Sequence, residues 1–136
     1  MIDSIINKII ENLSGNGIKN IYSAYDGISV EKKGRDFYTL VGLESFEMHT
    51  PIYSALTLFM PYEAEISLNI TAPENYSIQK LYEYFSEKIK PAVMNFSGID
   101  CYIKKISIKH NLQINRLVLT VRLSVSGIEK SERENT

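Results

Sequence analysis

The residues that could carry out nucleophilic or acid–base chemistry are few and lie far apart in the sequence. The chain has one cysteine, Cys101, and two histidines, His49 and His110. A thiol beside an imidazole can act as a nucleophile with its base. Cys101, however, lies between Ile99 and Ile103 with the period of two that marks the inward face of a strand. We therefore interpret Cys101 as a core residue and the histidines as surface residues, and not as a catalytic pair.

Patterns for metal and nucleotide binding are also missing from the sequence. Neither histidine belongs to a spaced ligand set such as H-E-x-x-H, and the glycines form neither G-x-G-x-x-G nor G-x-x-x-x-G-K-[ST]. The acidic pairs Glu63/Glu65 and Glu83/Glu87 fit solvated faces of a strand and a helix better than a general acid and base. The sequence therefore predicts no enzyme activity, no metal and no cofactor.

Basic residues close to tyrosines are the remaining signal for binding chemistry. Lysines and aromatic rings on one sheet face could neutralise and stack single-stranded nucleic acid. The chain has no RNP-like aromatic strand motif and a net charge of -1, so nucleic acid is not a predicted partner. The residues concerned are Tyr22, Tyr25, Lys32, Lys33, Arg35, Tyr102, Lys104, Lys105 and Lys109.

The length and composition are those of an ordinary globular domain. The chain has 136 residues, of which 44% are hydrophobic and 23% are charged. A chain of this size buries roughly two thirds of its unfolded surface, which is enough for a core without disulfides or metals. We expect one domain over residues 1–127, followed by a polar and flexible tail over residues 128–136.

The sequence gives no sign of export or of membrane insertion. Its start lacks the basic and uninterrupted apolar regions of a signal peptide. No apolar run approaches the roughly 20 residues that span a bilayer. A single cysteine suits a reducing compartment. We therefore expect a cytoplasmic protein with no membrane partner.

Two segments have the spacing of amphipathic helices, with apolar residues three and four positions apart. Their apolar stripes are Ile2, Ile5, Ile6, Ile9, Ile10 and Leu13 in the first helix and Ile78, Leu81, Tyr82, Phe85 and Ile89 in the second. The first helix is expected to start at Asp3 or Ser4 and to end at Gly15 or Gly17. The second is expected to start at Ser77 and to end or kink at Pro91.

Period-two alternation predicts the strands. Residues 117–125 alternate without a break, and Gly127 is expected to end that strand. Residues 37–43 are apolar on both faces and indicate a central or doubly covered strand. Residues 44–54 contain a proline and mixed polarity, which predicts a loop or an edge strand. Further strands are expected in residues 18–25, 28–30, 64–71 and 99–109, with a turn at Asp26-Gly27 and an interruption around Pro61.

The strand over residues 99–109 changes phase in its middle. Ile99, Cys101 and Ile103 share one parity, whereas Ile106 and Ile108 have the other. One extra residue in a strand reverses the direction of every later side chain. We therefore predict a β-bulge near Lys104 and Lys105 that keeps all five of these side chains in the core.

The order of elements predicts an α+β fold. One mainly antiparallel, in part mixed, sheet should carry both amphipathic helices on one face, in the order α-β(3–4)-α-β-β. The polar alternate positions of residues 64–71 are consistent with helices on one side only. The apolar residues of segment 44–60 exceed what a loop could bury, and exposed apolar surface of this kind marks an interaction site.

The same order of elements carries a family resemblance. A short amphipathic helix is followed by strands with an extended segment at 38–53, by a strand that enters a helix through Pro-Glu-Asn-Tyr-Ser at 73–77, and by a closing hairpin at 116–125. In length and pattern the chain resembles the small tail-terminator, or tail-completion, proteins of phages and phage-tail-like bacteriocins.

The resemblance implies a structural role in place of catalysis. Subunits of such proteins form a ring, commonly of six, that stops polymerisation of the tail tube and faces a collar or head connector. The implied partners are a second copy of the chain, the tail-tube protein and the collar or connector protein. The implied location is the bacterial cytoplasm during assembly and then the particle. By position, the implied contact segments are residues 44–54, the turn at residues 33–36 and the tail after Gly127. The implied contact residues are Lys33, Arg35, Glu44, Phe46, Glu47, Met48, His49, Ile52 and Tyr53.

Two other hypotheses stay open at the level of the sequence. The chain could be a small enzyme or ligand-binding domain with an apolar pocket between sheet and helices near Cys101. It could also be another head–tail joining protein of similar size. A cavity lined by convergent polar groups would favour the first, and a protruding segment on a flat rim would favour the ring.

Overall fold

The computed structural model describes residues 2–23, 37–73, 77–94, 96, 99–111 and 116–132. A π-helical turn, Phe85–Ile89, joins the second helix to the third. The other elements, in chain order, are α1 (Ile2–Gly15), β1 (Ile21–Ser23), β2 (Tyr38–Met48), β3 (Ile52–Tyr53), β4 (Thr57–Pro73), α2 (Ile78–Tyr84), α3 (Lys90–Val93), β5 (Asp100–Asn111) and β6 (Arg116–Glu132). The predicted turn at Asp26-Gly27 and strand at 28–30 lie outside the described residues.

The strands form one mixed sheet in the order β1-β2-β4-β6-β5, and β3 pairs with β4. β1 runs parallel to β2, and the other pairs are antiparallel. β4 and β6 pair over their full lengths, from Thr57 opposite Glu132 to Pro73 opposite Arg116. The predicted α+β class and mainly antiparallel sheet are confirmed.

The helices cover one face of this sheet, as predicted. Apolar side chains of the helices meet the inward positions of the central strands, and each such buried side chain contributes roughly 1.5–3 kcal/mol relative to an exposed one. The core contains Ile5, Ile6, Ile9 and Leu13 of α1, Leu81, Phe85, Ile89, Ala92 and Val93 of the second helical segment, and Ile66, Leu68, Ile70, Leu119, Val121, Leu123 and Val125 of the sheet.

One of the two predicted helix N-caps is confirmed. Ser77 is the N-cap of α2, and its hydroxyl accepts a hydrogen bond from the Lys80 amide at 3.4 Å. The prediction that Asp3 or Ser4 caps α1 is wrong, because α1 begins at Ile2 and includes both residues.

The end of α1 follows the glycines. Gly17 has a φ of 85°, and its amide donates to the Ser14 carbonyl at 3.1 Å. The Ile18 amide donates to the Leu13 carbonyl at 3.2 Å. This pair of hydrogen bonds is a Schellman motif, which requires a left-handed residue where Gly17 lies. The predicted helix end in this region is confirmed.

The second helical segment buries a narrower stripe than predicted. Leu81, Phe85 and Ile89 are buried, but Ile78 and Tyr82 are about half exposed, at 50% and 49%. The buried residues are four positions apart, so the two exposed ones lie at the flank of the stripe. The segment also continues past Pro91 to Val93. Because proline has no amide to donate, the hydrogen-bond pattern becomes π-helical just before it.

Segment 44–54 contains more sheet than expected. β2 continues through Glu44 to Met48, so these residues are strand and not loop. The register shifts between Leu43 and Ser45. Leu43 faces Ile66 and Phe46 faces Ala64, so a bulge at Glu44 keeps both on the core side and hides the alternation from sequence analysis. β3 is a short edge strand, as predicted.

The predicted bulge in β5 is present. The register shifts between Ile103 and Lys105, and beyond it Ile106 lies opposite Val121 and Ile108 opposite Leu119, both core positions. Cys101, Ile103 and Ile108 pack against the core. Ile106 keeps 38% of its surface exposed because β5 is the last strand of the sheet.

Two long strands pass through the residues that were expected to interrupt them. β4 is continuous through Pro61, whose carbonyl accepts the His49 amide at 2.9 Å. In a strand, the amide and the carbonyl of one residue point to the same side. The Pro61 carbonyl points towards His49, so the hydrogen bond that proline cannot donate is not one of those between β4 and β6. The prediction that Gly127 ends β6 is wrong, since the strand continues to Glu132. Residues 133–136 lie outside the described part.

Candidate assembly surface

The sheet extends beyond the helical layer as a three-stranded ribbon, here called the arm. The arm consists of β3 with residues 57–61 of β4 and residues 128–132 of β6. Ile52 pairs with Phe59, and Phe59 pairs with Lys130. Among the described residues, the buried core ends at Tyr62 on β4 and at Val125 on β6. The described residues of the arm are therefore outside the buried core and are held mainly by backbone pairing.

Apolar side chains are exposed on both faces of the arm. Ile52 and Ile128 lie on one face and are 57% and 56% exposed. Tyr53 lies on the other face at 65%, as does Met48 at the root of the arm at 42%. A ribbon of so few strands has no core of its own, so burial of these side chains requires another surface.

Aromatic stacking fixes the root of the arm. The rings of Phe46 and Tyr62 stack with their centroids 5.6 Å apart. Tyr62 lies opposite Gly127 of β6, and a Cβ at Gly127 would lie 2.6 Å from the Tyr62 hydroxyl oxygen. The glycine therefore makes room for the ring. On the arm itself, the Lys130 Nζ lies 5.7 Å from the centroid of the Phe59 ring, a cation–π contact.

A cavity of about 220 Å³ lies beside this root. Glu129 contributes a carboxylate oxygen that is buried and has no hydrogen-bond partner in the described part of the chain. Burial raises the pKa of Tyr62, and the charge of Glu129 raises that pKa further. The lining residues are Ser4, Ile5, Lys8, Tyr62, Ile99, Ile128 and Glu129.

Acidic residues follow the sheet edge formed by the second half of β2 and by β3, here called the acidic edge. Glu44 and Glu47 are exposed on the second half of β2. Glu47 lies opposite Glu63 of β4, and a Glu63 carboxylate oxygen is 3.6 Å from His49 Nε2. This region is rich in carboxylates and in exposed apolar side chains.

The opposite edge, β5, is basic. Lys105 and Lys109 are exposed along it, and Tyr102 is 61% exposed. Lys104, at the bulge, reaches across the sheet and donates a hydrogen bond to Glu65. This hydrogen bond lowers the pKa of the Glu65 carboxyl and raises the pKa of the Lys104 ammonium. The two edges of the sheet thus carry opposite charge.

The structure separates the residues that could have formed a thiol–imidazole pair. Burial raises the pKa of Cys101 to about 11, which disfavours the reactive thiolate. His110 lies on the same strand, nine positions away, which corresponds to about 30 Å at ~3.3 Å per residue. His49 contacts Glu63 on the sheet face opposite to that of Cys101. These positions do not support nucleophilic catalysis.

Within the described ranges, no helix is both long enough and apolar enough to cross a bilayer. The same ranges contain no group of three side chains placed to hold a metal ion.

An open groove of about 520 Å³ lies at the end of α1 and not at Cys101. It is lined by Ile10, Ser14, Gly17, Ile18, Lys19, Asn20, Ile21 and Tyr22.

The structure brings most of the predicted contact residues together. Glu44, Glu47, Met48, His49, Ile52 and Tyr53 lie along the acidic edge and the arm, all of them exposed. Phe46 is half-buried and packs against the core, so it supports this surface from below. Lys33 and Arg35 lie outside the described residues.

Two residues of this surface depend on pairing between distant strands. The sequence places Ile128 in a flexible tail, whereas pairing with Pro61 holds it in β6, on the face opposite to Leu123 and Val125. Glu63 fits isolated solvated charge in the sequence, and only the pairing of β2 with β4 places it beside Glu47 and His49. Local sequence carries no signal for either position.

Comparisons with solved structures identify the fold. The cryo-EM structure of the sheath/tube terminator of an extracellular contractile injection system, PVC, in its extended state, superposes with a TM-score of 0.55 and 13% sequence identity. The chain has the fold of a sheath/tube terminator. The match covers 99% of this chain but 57% of the terminator chain, so this chain spans little more than half of that protein.

A second solved structure shares the fold; it superposes with a TM-score of 0.57 and 10% identity and covers 100% of this chain and 98% of the other. A chain from the virion of a native gene transfer agent particle gives a TM-score of 0.48 with 6% identity, over 89% of this chain and 92% of the other. No protein-family model and no curated protein sequence matches the chain.

Proposed function

We propose that this protein is a structural subunit of a phage tail or of a related contractile particle. In this role it forms a ring at the end of the tail tube and joins the tube to a collar or head connector. The observation that carries the proposal is the arm, with Ile52, Tyr53 and Ile128 each more than half exposed. The terminator fold supports it, because it is the fold of a protein named for that position in its particle.

The proposed role is structural and not catalytic. Its partners are further copies of the chain, commonly six in a ring, together with the tail-tube protein and the collar or connector protein. Each copy acts as one domain, and the arm and the acidic edge provide contact surface. Assembly takes place in the bacterial cytoplasm, and the protein then stays in the particle.

The test is the solution mass of the purified protein, measured by light scattering over a broad concentration range, alone and with tube protein of the same particle. The expected result is a discrete species of about six times the 15.5 kDa of one chain, formed by the protein alone or in the presence of tube protein. A strict monomer under every one of these conditions contradicts the proposal.

A further inference from the structure

Two edges of the sheet differ in the charge of their exposed side chains. The first edge is formed by the second half of β2, from Glu44 to Met48. This edge continues into β3. Its exposed side chains combine two carboxylates with three apolar groups; they are Glu44, Glu47, Met48, Ile52 and Tyr53. This is the acidic edge.

The second edge is the outer side of β5, which is the last strand at the other end of the sheet. Lys105 and Lys109 are exposed there, and Tyr102 and Ile106 add apolar surface. We call these four residues the basic edge. Lysines and a bulge on an outer strand hinder backbone pairing with another sheet, so a partner on this edge would be held mainly by side chains.

We propose that neighbouring subunits join head to tail, with the acidic edge of one copy against the basic edge of the next. This inference rests on the ring of the proposed function and specifies its subunit contact. The charges of the two edges are complementary, because carboxylates of one copy meet ammonium groups of the next. Both edges also expose apolar side chains, which the contact would bury.

The positions of the edges determine the symmetry of the contact. The acidic edge follows β2 and β3, and the basic edge follows β5, with β4 and β6 between them. A contact between two different surfaces of the same chain is heterologous, and it produces a closed ring when the rotation per subunit closes. Edges of like charge repel one another, which disfavours a two-fold dimer through either edge alone.

The test uses charge reversal on each edge. The first variant carries Glu44→Lys and Glu47→Lys, and the second carries Lys105→Glu and Lys109→Glu. Association is measured by sedimentation velocity at low salt, under the condition in which the wild-type protein associates, alone or with tube protein. Each variant alone is expected to associate about tenfold more weakly than wild type, because both edges of that variant then carry the same sign.

An equimolar mixture of the two variants distinguishes this contact from a general effect of charge. In the mixture, each edge of one variant meets an edge of opposite charge on the other, so association is expected to return as alternating assemblies. The loss in the single variants should shrink as salt rises, because the screening length falls from about 10 Å at 0.1 M to about 3 Å at 1 M.

The controls change net charge by the same amount away from both edges. They are Glu83→Lys with Glu87→Lys and Lys88→Glu with Lys90→Glu, all exposed positions of the second helical segment. Both controls are expected to associate like wild type. Wild-type association that neither edge variant changes overturns the head-to-tail contact and leaves the ring in place. A wild-type protein that never associates overturns the ring and the contact together.

Discussion

At the level of single residues, the clearest constraint is the contact between Gly127 and Tyr62. The Tyr62 ring lies over the glycine, with its Cζ atom 2.9 Å from where a Cβ would be. Stacking on Phe46 holds the ring from the other side. The glycine is therefore required by close packing in the middle of a long strand, although the sequence suggested a strand end.

Replacing this glycine should destabilise the fold. Gly127→Ala forces the Tyr62 ring to move, and overpacking of this kind typically costs about 1–3 kcal/mol. Urea unfolding followed by circular dichroism measures the change. Gly15→Ala is the matched control, because nothing lies within 4 Å of its Cβ position at the end of α1, and alanine there should be neutral or slightly stabilising. Equal stability of the two variants would contradict the packing argument.

The thiol of Cys101 gives a second prediction. Burial raises its pKa from 9.0 to about 11, so at pH 8 the folded protein should react with a disulfide reagent at least tenfold more slowly than the urea-unfolded protein. Because the folded state binds the thiol proton more tightly, this contribution to stability is complete below pH 9 and is lost as pH rises through about 11. Cys101→Ala should remove that part of the pH dependence. Equal labelling rates in both states would show an accessible thiolate.

At the level of elements, the two bulges decide which side chains face the core. Each adds one residue to a strand, at Glu44 in β2 and at Lys104 in β5. Without the bulge in β5, Ile106 and Ile108 would point away from the helices. Which residues of a strand face the core therefore depends on the position of any bulge as well as on the alternation of side chains.

Single-residue deletions test the bulge in β5. Deletion of Lys104 restores plain alternation and keeps Ile103 and Ile106 on the core face, so the variant should fold and lose only the exposed ion pair with Glu65, which adds little to stability. Deletion of Ser107 makes Ile106 and Ile108 neighbours and forces one of them outward. That variant should lose about 2 kcal/mol or more. Urea midpoints compare the two, and a larger loss on deletion of Lys104 would refute the bulge.

At the level of the whole molecule, the fold has a body covered by helices and an arm that extends beyond them. The body is held by helices packed on β2, β4, β6 and β5, whereas the described residues of the arm are held mainly by strand pairing. Exposed apolar residues on both faces of a narrow ribbon add little to the stability of one isolated chain. Their expected effect is on association between chains.

Substitutions on the arm should therefore weaken association between chains without changing the stability of the single chain. Ile52→Ser with Tyr53→Ser changes two residues that are more than half exposed, so the free energy of unfolding should stay within about 0.5 kcal/mol of wild type. Association, measured by light scattering, should fall clearly. The control variant, Ile78→Ser with Met94→Ser, changes two residues of similar exposure on the helical layer. Its association should equal that of wild type. Equal association of the two double variants would argue against the arm as a contact surface.

Much of the candidate surface was predictable because exposure of apolar residues in a strand follows from local pattern. Met48, Ile52 and Tyr53 were identified from a segment with too many apolar residues for a loop. Ile128 lay in a segment expected to be a flexible tail, because glycine followed by polar residues is typical of a chain end, and only pairing with β4 keeps that segment in the sheet.

The sequence by itself determined the α+β class, the mainly antiparallel sheet, the helix cap at Ser77 and the bulge at Lys104, because each depends on residues close together in the chain. The tertiary structure decided the length of β6, the position of Glu63 beside His49 and the separation of the acidic edge from the basic edge. These features depend on which strands lie side by side. That choice is made by contacts between distant segments, which local periodicity does not encode.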